Sequence, residues 1–285
     1  MIPSAFSYVQ ASSVQEAIRL LKESNGEGKV IAGGHSLIPL LKFRLTTPGT
    51  LVDIGQVAEL RGVRKEGNRL VIGALTTYRQ IVSDPLVAEH LPVLAQAVRQ
   101  IGDIQVRNRG TIGGNLAHAD PAADLPGVAL ALDAMLEIQG EDGAEAVEAE
   151  SFFLGPLITA LAETSLLTAV SFLLPPPGTK STYLKYAHPA SGYAVAGVCA
   201  LAAADAHGRI SYVRVGINGV GDMAYRARSV EEKLLGQIPT ADLIAEAALL
   251  AAEDAEMGSD MFASAEYRRH LSEVYTQKAL QQVLL

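Results

Sequence analysis

Three successive prolines followed by a glycine, Pro175-Pro176-Pro177-Gly178, constrain this chain more than any other stretch. Each proline fixes its own φ and lacks an amide donor, so neither a helix nor a paired strand runs through the quartet. A domain boundary is expected there, with residues 1–175 on one side and 179–285 on the other. A chain of 285 residues is long enough for two domains, each with its own core.

Upstream of the break, Ser13 with Glu16 has the form of a capping box, and Val14, Ala17, Ile18 and Leu21 recur at helical spacing. After Asn25-Gly26-Glu27-Gly28, residues 29–32 read as a short buried strand. Gly33-Gly34-His35-Ser36 then turns the chain into a helical turn over 37–43, entered through Pro39. A second strand is expected at 51–54, and a hairpin joins 61–64 to 69–73 across Glu66-Gly67-Asn68. Val93, Leu94, Ala97, Val98 and Ile101 fit one face of a helix, after which the chain enters Arg107-Asn108-Arg109-Gly110-Thr111-Ile112-Gly113-Gly114-Asn115. Runs at 134–138 and 165–174 read as strands, as do 183–186, 194–204 and 210–218 beyond the prolines. Ser229 with Glu232 suggests another capping box, and 241–252 and 265–283 have helical composition, so the last third is expected to be a small sheet backed by helices.

Several function classes drop out. Mean hydropathy is +0.21, yet charges or glycines interrupt every apolar run before the roughly eighteen residues of a membrane-spanning helix. The opening Met1-Ile2-Pro3-Ser4-Ala5-Phe6 lacks the basic start and apolar stretch of a secretory signal, so the expected location is the cytoplasm. The single cysteine, Cys199, supports neither a disulfide framework nor a cysteine-ligated iron–sulfur cluster within this chain. A net charge of −8 opposes attraction to a phosphate backbone, so nucleic acid is not an expected ligand.

The glycine pairs carry the chemistry. Without a side chain in the way, backbone amides approach a ligand closely, and a following helix start adds partial positive charge that suits phosphate. Ala32-Gly33-Gly34-His35-Ser36 and Thr111-Ile112-Gly113-Gly114-Asn115 both end in hydrogen-bonding side chains. Either loop by itself is more often plain turn geometry. There is no G-x-x-x-x-G-K-[ST] phosphate loop, no G-x-G-x-x-G after a strand and no G-x-S-x-G nucleophile elbow. His118, Asp120 and Asp124 lack a further nitrogen or sulfur donor at a metal-site spacing, so no metal is expected.

Taken in this order, Ala-Gly-Gly-His-Ser after a strand, Thr-Ile-Gly-Gly-Asn, and then Ala117-His118-Ala119-Asp120-Pro121-Ala122-Ala123-Asp124 resemble the paired FAD loops of the flavin subunits of molybdenum hydroxylases. Motif order, length and the C-terminal sheet-plus-helix portion are similar to the medium subunits of the carbon monoxide dehydrogenase and xanthine dehydrogenase kind, so the resemblance covers essentially the whole chain. It implies an α+β fold: a two-lobed FAD-binding domain of the PCMH or vanillyl-alcohol-oxidase type, with lobes at about 1–55 and 56–175. A C-terminal domain with a three-stranded antiparallel sheet and helices would follow.

It further implies noncovalent FAD. By position, Val30, Ile31, Ala32, Gly33, Gly34, His35 and Ser36 would wrap one side of the diphosphate, with Leu37 next to them and Lys29 close by but not in direct phosphate contact. Thr111, Gly114 and Asn115 would close on the other, with Ala117 and Ala123 nearby, and Asp124 would hold a cofactor hydroxyl. Leu167, Lys185 and Tyr193 carry the later contacts, Tyr193 near the isoalloxazine ring. Bulk added at Ala32, Gly33 or Gly114 is expected to obstruct the diphosphate and leave the fold largely intact.

The implied partners are a molybdenum-binding large subunit and a small subunit with [2Fe-2S] clusters, in a dimer of heterotrimers. Molybdenum cofactor and clusters would reside only in those partners, and this chain would accept electrons and pass them to an external acceptor. The best match in kind is a carbon monoxide dehydrogenase. Purine, N-heterocycle and aldehyde dehydrogenases are the alternatives, beside a freestanding FAD oxidoreductase or a noncatalytic nucleotide-binding protein.

Overall fold

In the computed structural model, which describes residues 2–285, the first lobe is a parallel sheet. Strands β1 (Ser7–Gln10) and β2 (Gly28–Ile31) flank β3 (Thr50–Asp53), and helices α1 (Val14–Glu23) and α2 (Leu37–Phe43) make the two crossovers. The four apolar positions of α1 are buried with Val52, Ile54, Val57 and Leu60. At its start the Ser13 hydroxyl accepts the Glu16 amide, but the Glu16 carboxylate reaches back to the amide and hydroxyl of Ser12 instead of Ser13.

The second lobe is a five-stranded antiparallel sheet in the order β4-β5-β10-β6-β7. The strands are β4 (Val63–Glu66), β5 (Arg69–Gly73), β6 (Met135–Gly140), β7 (Gly143–Glu148) and β10 (Leu166–Leu173), with the small hairpin β8 (Phe153–Gly155) and β9 (Ile158–Thr159) before β10. Between β5 and β6 the chain makes α3 (Tyr78–Ser83), α4 (Pro85–His90), α5 (Pro92–Arg99), α6 (Ile104–Arg109), α7 (Ile112–His118) and α8 (Asp124–Ala131), and α9 (Ala149–Phe152) follows β7. α8 is buried along its entire length, which explains why its sequence shows no polar face. Its core joins Leu70 and Ile72 of β5 to Leu94 and Val98 of α5 and Leu116 of α7.

The proline quartet joins β10 to β11 (Lys180–Ala187). Beyond it the sheet has four antiparallel strands, not the three expected: β11-β12-β13-β14, with β12 (Ala194–Ala204), β13 (Ile210–Asn218) and β14 (Tyr225–Arg226). The added strand contributes two residues, Tyr225 opposite Ile217 and Arg226 opposite Gly216, too few for any alternation to register in the sequence. One face of this sheet packs on α5 and α8; the other is covered by α10 (Arg228–Leu234), α11 (Ala241–Ala248) and α12 (Ala265–Leu284). A strand covered on both sides reads as a continuous apolar run, as β12 does. The Ser229–Glu232 capping box does not form. Ala227 precedes α10, and Ser229 bonds Asp254 through its amide and hydroxyl, both at 3.0 Å.

Candidate functional site

A cavity of about 1330 Å³ opens where the two lobes and the loop between β11 and β12 meet. Small-molecule pockets enclose roughly 300–1,000 Å³, so this one has room for a large ligand.

Its first wall is the turn between β2 and α2. Gly34 sits at φ +75°, a region that glycine occupies without strain. Among the described residues the amides of Gly33, Gly34, His35 and Ser36 donate to no protein acceptor, leaving four successive N–H groups for a ligand. The His35 ring turns back, with Nδ1 2.9 Å from the Gly33 carbonyl. Gly33 answers a second demand: a Cβ there would lie 2.2 Å from the Arg109 carbonyl oxygen and 2.9 Å from its carbon. Its bareness lets the first glycine loop dock on the end of α6, directly ahead of the second.

The second wall is the start of α7. Thr111 Oγ1 accepts the Gly114 amide at 3.1 Å, so that amide is used within the protein. Asn115 Nδ2 donates to the Tyr78 hydroxyl at 3.0 Å, while its Oδ1 is buried with no partner among the described residues. An unpaired buried acceptor costs about 1–3 kcal/mol, and a donor on a bound molecule removes that cost.

The segment 119–124 closes one end. The Ala194 amide donates to the Ala122 carbonyl at 3.1 Å and the Gly219 amide to the Pro121 carbonyl at 2.9 Å, so the C-terminal sheet pins it. Asp124 Oδ1 accepts from the Tyr183 hydroxyl at 2.5 Å and Oδ2 from Lys185 Nζ at 3.0 Å. Burial pushes the Asp124 carboxyl above the usual carboxylate range, with Lys185 and Tyr183 pulling it back. Burial holds the His118 imidazole below the usual histidine range, Asp120 opposing and Lys29 adding to it. Burial also raises the Tyr193 hydroxyl, helped by Asp120 and Asp124.

Of the residues singled out in the sequence, Lys29, Val30, Ala32, Gly33, Gly34, His35, Ser36 and Leu37 line the cavity from the first lobe. Thr111, Gly114, Asn115, Ala117, Ala123, Asp124 and Leu167 line it from the second, and Tyr193 from the C-terminal domain. Two do not. Ile31 is directed at the turn itself, its Cδ1 3.7 Å from where a Gly34 Cβ would stand. Lys185 lies behind Asp124, donating to that carboxylate and to the Gln100 carbonyl at 2.8 Å.

The sequence reading missed Tyr78, which reaches Asn115 from α3, and the apolar wall of Leu157, Ile158 and Leu161. Nothing local marks Tyr78, whose role depends on a partner 37 positions downstream. The expectation that bulk at Gly33 spares the fold also fails, because the obstructing atoms are protein backbone. Among the described residues no group of three or more His, Cys, Asp or Glu side chains is placed to hold a metal ion.

Residues 4–175 match the family described as the FAD binding domain in molybdopterin dehydrogenase, and residues 181–283 match the CO dehydrogenase flavoprotein C-terminal domain. The chain is 36% identical over 280 residues to the carbon monoxide dehydrogenase medium chain of Hydrogenophaga pseudoflava, covering 98% of this chain and 97% of the relative. It is 39% identical over 283 residues to the glyceraldehyde dehydrogenase medium chain of Sulfolobus acidocaldarius, covering 99% and 100%. The solved structure of the Hydrogenophaga pseudoflava carbon monoxide dehydrogenase that lacks the Mo-pyranopterin moiety superposes with a TM-score of 0.96 at 37% identity, covering 99% of this chain and 98% of that one.

Proposed function

Since the chain belongs to the family of FAD-binding flavoprotein subunits of molybdenum-containing dehydrogenases, we propose that it takes electrons from the [2Fe-2S] clusters of a partner and passes them to an external acceptor. The chain is an oxidoreductase subunit that binds FAD. The observation that carries the site assignment is the pairing, in one cavity, of the four free amides of residues 33–36 with the orphaned Asn115 Oδ1.

The residues fit the cofactor, in noncovalent form. The amides of Gly33, Gly34, His35 and Ser36 would hold the diphosphate, since oriented N–H groups neutralise phosphate without a cation. Val30, Ala32 and Leu37 shape that wall, with Lys29 at its edge. Thr111 and Gly114 fix the start of α7 and so aim Asn115. Asp124 accepts a hydroxyl, Leu167 presents an apolar surface, and Ala117 and Ala123 keep the path narrow. Tyr193, partly exposed at the rim, would limit the access of solvent to the reactive ring. When bound, FAD supplies the exchange between one-electron and two-electron transfer.

The expected partners are a large subunit that holds the molybdenum cofactor and transforms the substrate, and a small iron–sulfur subunit, assembled as a dimer of heterotrimers in the cytoplasm. Relatives named as medium chains support the partners. Among the described residues no helix is long and apolar enough to cross a membrane. We take a carbon monoxide dehydrogenase-like complex as the first reading. The comparable identity to a glyceraldehyde dehydrogenase chain keeps aldehydes, with purines and N-heterocycles, as alternatives, because substrate choice belongs to the molybdenum subunit. Residues 1–175 and 179–285 are taken as the two domains.

The purified chain, reconstituted with FAD, should show a flavin absorption spectrum, and acid precipitation should release the flavin into the supernatant. A folded chain that remains colourless, both by itself and in its complex, would refute the site.

A further inference from the structure

We propose that Tyr183, contributed by the C-terminal domain, is a positioning residue for the flavin site: its hydroxyl, together with Lys185, holds the Asp124 carboxylate ionised and aimed into the cavity. The proposal rests on the reading above that Asp124 faces the cofactor.

Asp124 is the first residue of α8, its side chain only 5% exposed, and it lines the cavity. A carboxylate so placed stays charged only if donors replace the water it has lost. Both donors come from one strand of the other domain, two residues apart and therefore on one face of β11. Tyr183 gives its hydroxyl to Oδ1 at 2.5 Å, and Lys185 gives its ammonium to Oδ2 at 3.0 Å.

Neither donor is free to leave. The Tyr183 amide donates to Gln96 Oε1 at 3.0 Å, and Gln100 Nε2 donates to the Tyr183 carbonyl at 3.3 Å, so α5 clamps the strand. The Lys185 ammonium is also tied to the Gln100 carbonyl. Space for the phenol is made by Gly197 on β12, where a Cβ would stand 2.4 Å from the Tyr183 oxygen and 2.7 Å from Asn218 Oδ1. Tyr183 is fully buried, and its own hydroxyl is pushed up by burial, so it remains a donor.

The other titratable groups that sense the Asp124 charge are Tyr78 on α3 and Tyr193 in the loop before β12. Neither bonds the carboxylate, and the neighbouring Asn218 and Gln100 carry no charge. Removing the Tyr183 hydroxyl therefore takes away one of the two side-chain donors to the ion, leaving Lys185 and the Asp124 backbone amide.

The test follows Asp124 itself. In the full chain without FAD, carbon-13-labelled aspartate gives the Asp124 carboxyl titration, identified by its loss in Asp124→Asn. FAD dissociation constants are then measured across the neutral range for wild type, Tyr183→Phe and Asp124→Asn. With the circular dichroism spectrum unchanged, Tyr183→Phe should move the Asp124 titration up by about one pH unit or more, and its FAD affinity should fall about tenfold on the acid side where wild type stays level. If Asp124→Asn weakens FAD while Tyr183→Phe matches wild type in both titration and affinity, the role given to Tyr183 is wrong. If Asp124→Asn binds FAD with wild-type affinity, the Asp124 contact itself fails and the proposal falls with it. Should Tyr183→Phe not fold, 3-fluorotyrosine at position 183 nearly keeps the shape and strengthens the donor, so the titration should move down; no movement overturns the proposal.

Discussion

Gly33 serves two demands at one position, and a substitution there separates them. A methyl group at Gly33 meets the carbonyl of Arg109, which is backbone and cannot rotate away, so the two glycine loops must move apart. Gly33→Ala should cost about 1–3 kcal/mol even without cofactor, the range for overpacking, seen as a lowered thermal midpoint of the apoprotein. Asn115→Ala should act on both the fold and the cofactor. It removes the donor to the buried Tyr78 hydroxyl, so the apoprotein should lose about 1–3 kcal/mol, and it removes an acceptor that is already unpaired, so FAD affinity should fall by about 1–3 kcal/mol as well in titration calorimetry. A loss of apoprotein stability with FAD affinity unchanged would mean that Asn115 serves only Tyr78. The glycines and Asn115 were legible because each belongs to a short motif. Tyr78 and Tyr183 were not, since an isolated tyrosine carries no local sign of the distant residue it will bond.

Local patterning located most elements, and its failures have a common cause. α1 and β12 were readable because burial of one face or both imposes a period or a continuous apolar run, whereas α12, which buries Arg268, Ser272 and Thr276, was readable only from its helical composition. β14 and the start of α10 were not, because side chains from elsewhere decide them. Glu231, one position before the residue favoured by the capping-box pattern, is the buried one. It receives Arg226 at 2.7 and 2.8 Å and the Val215 amide at 2.8 Å, so it ties α10 to both β13 and β14. Glu231→Ala should cost about 1–3 kcal/mol in denaturant unfolding because it leaves the buried Val215 amide unpaired and the Arg226 guanidinium with Asp133 alone, whereas the exposed Glu232→Ala should change stability by about 0.5 kcal/mol or less.

The entry to α12 is set similarly by Asp260. The Ala263 and Phe262 amides, with Arg268 adding to them, hold its carboxyl below the usual carboxylate range. A carboxyl lowered by folding contributes stability above its unfolded pKa and loses it as pH falls through the folded value. The gap in thermal midpoint between wild type and Asp260→Asn should therefore be widest near neutrality and close on acidification. A gap that widens in acid would contradict this.

Across the whole molecule, the proline quartet correctly signals where regular structure stops, but it gives no hint of how tightly the two sides are sewn together. The turn after α8 places Asp133 at φ +45°, where its carboxylate meets Arg214 at 3.1 Å and Arg226 at 2.6 Å from the C-terminal sheet. Arg69 of β5 donates to the Asp133 carbonyl at 3.0 Å, so the same residue is held from both sides. The Asp124–Lys185 pair and the amide bonds onto Pro121 and Ala122 cross the seam nearer the cavity. Since Ser191, Gly192 and Tyr193 of the C-terminal domain complete the cavity, a ligand there touches both domains when the seam is closed.

Free ligand at about one hundred times its dissociation constant adds about 2.7 kcal/mol to the state that binds it. In calorimetry the wild-type chain should unfold in one transition, and FAD should shift all of it upward. Asp133→Ala removes both carboxylate contacts of the outer seam without touching a cavity wall, so the apoprotein should broaden or split into two transitions. FAD should then draw them back together, because it restores from inside the coupling that the mutation removed from outside. Two transitions that FAD shifts by unequal amounts and never merges would show instead that bound FAD stabilises one domain without coupling it to the other.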